Sequence, residues 1–369
     1  SPSKTASGWL EELCHENIAL LQSSLPVAKS AKSGRSKQSI ERPIVDALHW
    51  GVAALQIDDK VDLTYLDALV ESIQRLEPIT SLPDLTPDKI AQWISKQLPL
   101  RSEEPAIALI AAGWIHGLPS LGRQLEPGLW LETLQTILCQ VDRSWGTQEP
   151  ESMLAWLIWS CEVPLALASQ LSQLGCNDRF VSDTLDRLAL VLELTKEQPG
   201  PWLKRGGSHL RALLACVIRC RWTADQLGAR RWYAAQRKAM VDLASKAIAF
   251  CDSQGKPLLV DEEVGETDTA LWAALLEVTD GNAKLSDLMC SLPKGVRPAK
   301  LKRTDVKTPL ISLGYYSEEA EIALMRREWK SNGCRIAVDF GNDPMWLDIL
   351  DGHGDRVLSG WWEIQVSKN

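Results

Sequence analysis

GGSHLRALLACVIRCRWTADQLGARRWYAAQRKAMVDLASKAIAFCD, residues 206–252, is the stretch whose reading decides the fold. Leu210, Leu213, Leu214, Val217 and Ile218 fall at helical spacing, with Arg211 and Arg219 off that stripe. Trp232, Met240, Leu243, Ala247 and Phe250 make a second stripe, and Gly228 marks the break between two helices. Ser208 reads as an N-cap, which places His209 in the first turn of one helix and Tyr233 in the first turn of the next. A helix start offers free backbone N–H groups beside any polar side chain that faces a cavity. Arg230, Arg231 and Arg237 add positive charge nearby. The bland reading of the same residues is a solvent-facing first-turn histidine and an amphipathic tyrosine at a helix seam.

Working back toward the N-terminus, the chain is helix after helix. Residues 8–25 read as a first helix and residues 26–42 as a basic, Ser-rich linker. Apolar stripes follow at Ile44, Leu48, Val52 and Leu55, then at Leu63, Leu66, Val70 and Ile73. Thr86-Pro87-Asp88 is a helix start, with proline where its missing N–H costs nothing. Residues 106–118 are apolar on nearly every face and predict an inner helix. Trp130–Val141, Met153–Cys161, Pro164–Leu174 and a helix opened by Asp178 (Val181, Leu185, Leu188, Leu192) continue the series. His49 and His116, each next to a tryptophan near a helix end, read as structural histidines or as cavity-facing ones. Beyond the central pair, residues 267–279 and 283–290 are two further helices. Outer amphipathic helices alternating with inner apolar ones predict a mainly α protein: an α/α toroid-like, incomplete-barrel helical domain over residues 1–292. The absence of a fixed-period repeat disfavours an open solenoid.

The composition narrows the class. The chain has 369 residues, 45% of them hydrophobic, and a net charge of −8. An acidic chain lacks the basic face that nucleic acid or an anionic membrane requires, so neither is an expected partner. Tryptophan is frequent at 16 against 3 phenylalanines, and helix seams are its default place. The nine cysteines show no metal-ligand spacing; Cys139, Cys161, Cys251, Cys290 and Cys334 sit among apolar neighbours and read as buried free thiols, which favours a cytoplasmic, reducing compartment. No metal and no cofactor are expected. Apolar runs read as too short for a membrane span. The Ser-Pro start and the strand-like end WWEIQVSKN predict a piece of a longer protein.

After a Pro-bounded basic linker at residues 293–309 the period changes to two, and residues 310–369 predict a short antiparallel β segment. Ala320, Ile322 and Leu324 alternate with Glu321 and Ala323, and Cys334, Ile336, Val338 and Phe340 with Arg335, Ala337 and Asp339. Trp346–Leu350 and Arg356–Val366 read as a hairpin around Asp351-Gly352-His353-Gly354-Asp355, with Trp362, Ile364 and Val366 on one face. Such strands either cap the helical domain or begin a larger β-domain.

The helical array, the linker and then Gly314, Tyr315, Arg326, Trp329, Asp339 and Gly341 at their spacing resemble the heparinase II/III-like polysaccharide lyases, which pair an α/α toroid with a β-sandwich. The resemblance implies β-elimination on, or binding of, an acidic, uronate-containing polysaccharide. His209 would neutralise or protonate, Tyr233 would be the base, and Arg230, Arg231 and Arg237 would hold carboxylate or sulfate. Ser208 stands where that family carries Asn, and Asp351 where its His-x-His-x-Asp element begins with His; the same DGHGD run reads equally as a hairpin turn. A lyase role implies a periplasmic or secreted location. The alternative function, from a different class, is a non-catalytic helical scaffold that binds a protein or peptide. A terpenoid-cyclase-like toroid is disfavoured, because no Asp-rich helical motif is present.

Overall fold

In this computed structural model the described residues are 64–66, 68–69, 86–121, 124–146, 152–171, 177–197, 206–228, 234–259, 269–279, 283–290, 292, 296, 298, 314–318, 320–327, 333–341 and 344–362. The readings made for residues 1–63, His49 included, and for most of the linker at 293–309, lie outside them. The described chain is mainly helical and ends in an antiparallel sheet. It divides into two compact units: residues 1–52, 57–191 and 219–231, and residues 53–56, 192–218 and 232–369.

In the first unit, helix α1 (Pro87–Arg101) starts where the sequence places it. Thr86 is extended and its hydroxyl accepts the Lys89 N–H at 3.3 Å, satisfying one of the free amides of the first turn. Helix α2 (Pro105–His116) is buried at every residue from Ala106 to His116, the inner helix expected from its all-round apolar surface. After the short α3 (Leu118–Leu121), helix α4 (Pro127–Gly146) buries Trp130, Leu134, Ile137, Leu138 and Val141 on one side. Cys139 lies on the other side and is exposed, correcting the expectation of a buried thiol; Cys290 and Cys334 are only half-buried.

Residues 153–170 form one continuous helical run with a π turn inside it: α5 (Met153–Leu157), the π turn (Ile158–Glu162) and α6 (Val163–Gln170). Pro164 explains the irregularity. It has no N–H to give to the carbonyl four residues back, that of Ser160, and its ring crowds that oxygen. The Ser160 carbonyl turns instead to the indole N–H of Trp145 on α4, at 3.1 Å. By length and composition Met153–Gln170 could cross a membrane, so the expectation that no apolar run is that long is corrected; 78% of it is buried inside the protein, as in a core helix. Helix α7 (Asn177–Glu197) follows.

Helix α8 (Gly206–Gln226) begins two residues before Ser208, so Ser208 lies inside the helix and not at its cap. Every residue from Leu210 to Cys220 is buried, including Arg211 and Arg219, which the stripe had left outside the core. Residues 219–226 belong to the first unit and residues 206–218 to the second.

The second unit adds α9 (Ala234–Ala249), α10 (Thr269–Val278), α11 (Ala283–Met289) and, among the described residues, a five-stranded antiparallel meander in the order β1-β2-β3-β4-β5. The strands are β1 (Gly314–Ser317), β2 (Ile322–Arg326), β3 (Arg335–Asp339), β4 (Met345–Leu350) and β5 (Arg356–Trp362). The β4–β5 turn is the predicted one. The Asp351 carboxylate accepts the N–H groups of His353 and Asp355 at 2.7 and 3.0 Å, and these bonds hold its pKa below the usual carboxylate value. DGHGD is therefore a side-chain-stapled hairpin turn. Among the described residues, no group of three or more His, Cys, Asp or Glu side chains could hold a metal.

Candidate functional site

Three features carry chemistry or surface that packing alone does not require: a buried charge cluster in the first unit, a buried arginine cluster in the second, and the solvent side of the sheet.

In the first unit Glu162 sits at the end of the π turn, fully buried among apolar neighbours. A lone carboxylate there would be prohibitive, and Arg219 from α8 answers it. Arg219 Nε donates to Glu162 Oε1 at 2.6 Å and Nη2 to Oε2 at 2.8 Å, a two-pronged pair. His116, at the end of α2, adds its Nε2 at 3.3 Å from Oε1, so His116 takes the structural role of its two readings. Burial alone would raise the Glu162 pKa; the Arg219 charge and the hydrogen bonds from His116 and Arg219 outweigh it and hold the carboxyl at about 2. Beside it, burial first and Cys220 second push the Cys161 thiol well up, which makes Cys161 inert as a nucleophile.

In the second unit four arginines converge on the chain just after α9. A helix ends with carbonyls that have no intrahelical donor and with partial negative charge. Arg326 on β2 donates to the Ala249 carbonyl, and Arg335 on β3 to that of Cys251. These two arginines are directly paired in the β2–β3 register. Burial first, and for Arg326 the neighbouring Arg335 charge second, depresses their pKa values. Arg211 on α8 donates to the Gly255 carbonyl at 2.5 Å and stands over the Trp272 ring. Arg356 on β5 donates to the Pro257 carbonyl and faces Asp252 at 3.5 Å. Asp348 on β4 completes the junction: it accepts the Leu259 N–H and the Ser359 hydroxyl, each at 2.5 Å. Arg326 and Asp339, two of the residues that carry the lyase resemblance, thus work in architecture. Arg326 docks the sheet on α9, and Asp339 accepts the Gly341 N–H at 3.1 Å.

The two faces of the sheet differ sharply. Residues paired across antiparallel strands share a face. The row Tyr315–Leu324–Ala337–Asp348–Ser359 and the arginines lie on one side, where Ile322, Leu324, Arg326, Arg335, Ala337, Asp348 and Leu350 are buried. The opposite side carries the rows Tyr316–Ala323–Val338–Leu347–Gly360 and Gly314–Met325–Ile336–Ile349–Leu358. None of these residues is charged and none is buried. Tyr316 is 66% exposed, Met325 56%, and Trp362 on the same side 45%. Tyr316 stacks on Phe340, with ring centroids 5.8 Å apart. An antiparallel sheet with one wet side ordinarily puts polar residues on that side; here the arginines and Asp348 lie on the packed side and the two rows of the open side are apolar. The alternation of Cys334, Ile336, Val338 and Phe340 is real, but it points away from the packed side and not toward it.

Of the residues singled out for chemistry, Tyr233, Arg230 and Arg231 lie outside the described residues. His209 is in the first turn of α8, as expected, although its side chain is also outside what is described. Arg237 is exposed on α9. Any pairing among these five therefore lies outside the described residues. Glu162, Arg211 and Arg219 were not singled out from sequence as a site. Their signal is a charge in a run that has no polar side to receive it.

No protein-family model matches this chain, and neither a curated protein nor a solved structure matches it.

Proposed function

We propose that this chain is a helical scaffold whose C-terminal sheet docks a polypeptide partner on its open face. The observation that carries the reading is the uncharged, apolar character of the two five-residue rows on that face, of which Gly314, Tyr316 and Met325 are exposed and the rest half-buried. Contiguous exposed apolar surface of this kind marks a binding site in a soluble protein. The chemistry selects the partner class. A saccharide needs hydrogen-bond donors and acceptors, and a nucleic acid or anionic polymer needs cations. Apart from the Tyr316 hydroxyl, neither row offers a polar side chain, and neither offers a cation. Aliphatic side chains from another polypeptide layer fit what is there.

The test is a photo-crosslinking amino acid at Met325, with Lys238, exposed on α9, as the control position. The expected result is an adduct heavier than the chain from position 325, suppressed by Tyr316→Asp and absent from position 238. No adduct from position 325 would sink the reading. The polysaccharide-lyase reading rests on the resemblance, with His209 in the first turn of α8 as the one observation favouring it. The same protein preparation tests it: incubation with uronate-containing polysaccharide should raise the ultraviolet absorbance of unsaturated uronates, and His209→Ala should abolish the rise. A flat trace from the unmodified protein removes that reading.

A further inference from the structure

We infer that the occupant of the open face is a second copy of this chain, packed sheet against sheet about a two-fold axis that lies between them parallel to β3. The inference rests on the docking reading above and adds the identity of the partner. Its ground is the order of side-chain sizes along the two rows. A two-fold along the central strand of a five-stranded meander lays β1 of one copy over β5 of the other, β2 over β4, and β3 over itself. Each register row then lies over its own reverse. Tyr316 falls on the partner's Gly360, Ala323 on the partner's Leu347, and Val338 on the partner's Val338. In the second row Gly314 falls on the partner's Leu358, Met325 on the partner's Ile349, and Ile336 on the partner's Ile336.

Met325 with Ile349 is the one pair of two large side chains; otherwise large meets small at both edges and at Ala323 with Leu347, and like meets like on the axis. That is the condition for filling the roughly 10 Å between stacked sheets without voids or clashes. The notch is physical: a Cβ built on Gly360 would meet nothing within 4 Å, and its φ of +139° suits glycine. The matching projection is Tyr316, the most exposed aromatic side chain of the sheet. Charge at the contact does not oppose the pairing: two copies of a chain with net charge −8 repel each other overall, and rows that carry no charge add nothing to that repulsion. The area sets the strength. Five strands about 4.8 Å apart and about five residues long present roughly 400 Å² of face per copy, about 800 Å² in total, which is below the roughly 1,000 Å² of a stable interface and fits a weak, transient one. The dimer is therefore reversible and concentration-dependent.

Sedimentation equilibrium from about 1 to 200 µM, a range suited to weak pairing, tests this. The expected result is a monomer–dimer equilibrium that Tyr316→Asp and Met325→Lys each weaken at least ten-fold, while Lys238→Glu leaves it unchanged. Both variants alter side chains that already face solvent, so a folded monomer by circular dichroism separates lost pairing from lost fold. A wild-type protein that stays monomeric over this range, or a Tyr316→Asp variant that dimerises as tightly as wild type, overturns the self-pairing. Adducts from position 325 that contain only a different polypeptide overturn it as well, yet leave the docking reading standing. The docking reading fails only when position 325 gives no adduct.

Discussion

Replacing Arg219 with methionine is expected to destabilise the first unit by about 3–5 kcal/mol, because it leaves the Glu162 carboxylate buried without its counter-charge. Glu162 is enclosed by the π turn, and its remaining partner is the single bond from His116 at 3.3 Å. Replacing both members of the pair with methionine should recover most of the loss, since two apolar side chains of similar size need no partner. The pH dependence gives a second reading of the same interaction. The Glu162 pKa is lowered from 4.5 to about 2 in the folded protein. A depressed carboxylate contributes stability that is fully present above its unfolded value and is lost as pH falls through its folded value. Urea titrations of wild type should therefore show this contribution intact above about pH 5 and eroding toward pH 2, with the double variant lacking that erosion. A single variant within about 0.5 kcal/mol of wild type, the scatter of neutral substitutions, would show that the pair is not closed as described.

Asp348→Leu is expected to cost the second unit about 2–4 kcal/mol, since it strands buried donors. The Asp348 carboxylate is the point where β4, β5 and the loop after α9 meet. Leu259 sits at φ +61°, an unfavourable conformation for a branched-chain residue, and the bond from its N–H to Asp348 helps hold it there. The leucine variant leaves that N–H and the Ser359 hydroxyl without their acceptor, and Arg356 with Asp252 as its remaining carboxylate. Amide hydrogen exchange at Leu259, measured beside urea stability, checks the mechanism. Fast exchange with reduced stability is expected; a protected Leu259 amide in a stable variant would mean that the junction is held by the arginines alone.

Where the sequence is legible, local chemistry decides the outcome. Thr86-Pro87-Asp88 forms a capped start because the threonine hydroxyl, the proline φ and the acidic first turn all act within four residues. The α2 segment has no polar side and must be inner. The two-residue period after residue 314 gives strands, and Asp351 staples the turn that its Gly and Asp content predicts. The misses arise where the partner is distant in sequence. Arg211 and Arg219 lie off the leucine stripe, and an amphipathic reading puts them in water. Yet between Leu210 and Cys220 the two arginines are the only residues that are not apolar, so α8 has no wet side to offer them. The same logic applies to Glu162 in MLAWLIWSCEVPLALA. The sheet misleads for a related reason. Alternation fixes which residues share a side, but it does not say which side is packed. Arginine on the packed side becomes tolerable because the end of α9 supplies carbonyl acceptors, and nothing in the strand sequence announces a helix terminus contributed by residues 248–251.

The central claim is that the sheet is anchored by one side and presents the other, uncharged and apolar, to solvent. Hydroxyl-radical footprinting of the dilute monomer addresses it directly, with two methionines of the same unit as internal standards. Met325 is 56% exposed on the open side, and Met289 on α11 is fully buried. The expected result is rapid oxidation of Met325 and Trp362 with Met289 spared. Oxidation of Met325 as slow as that of Met289 in the monomer would contradict the claim, because the face proposed to await a partner would already be covered.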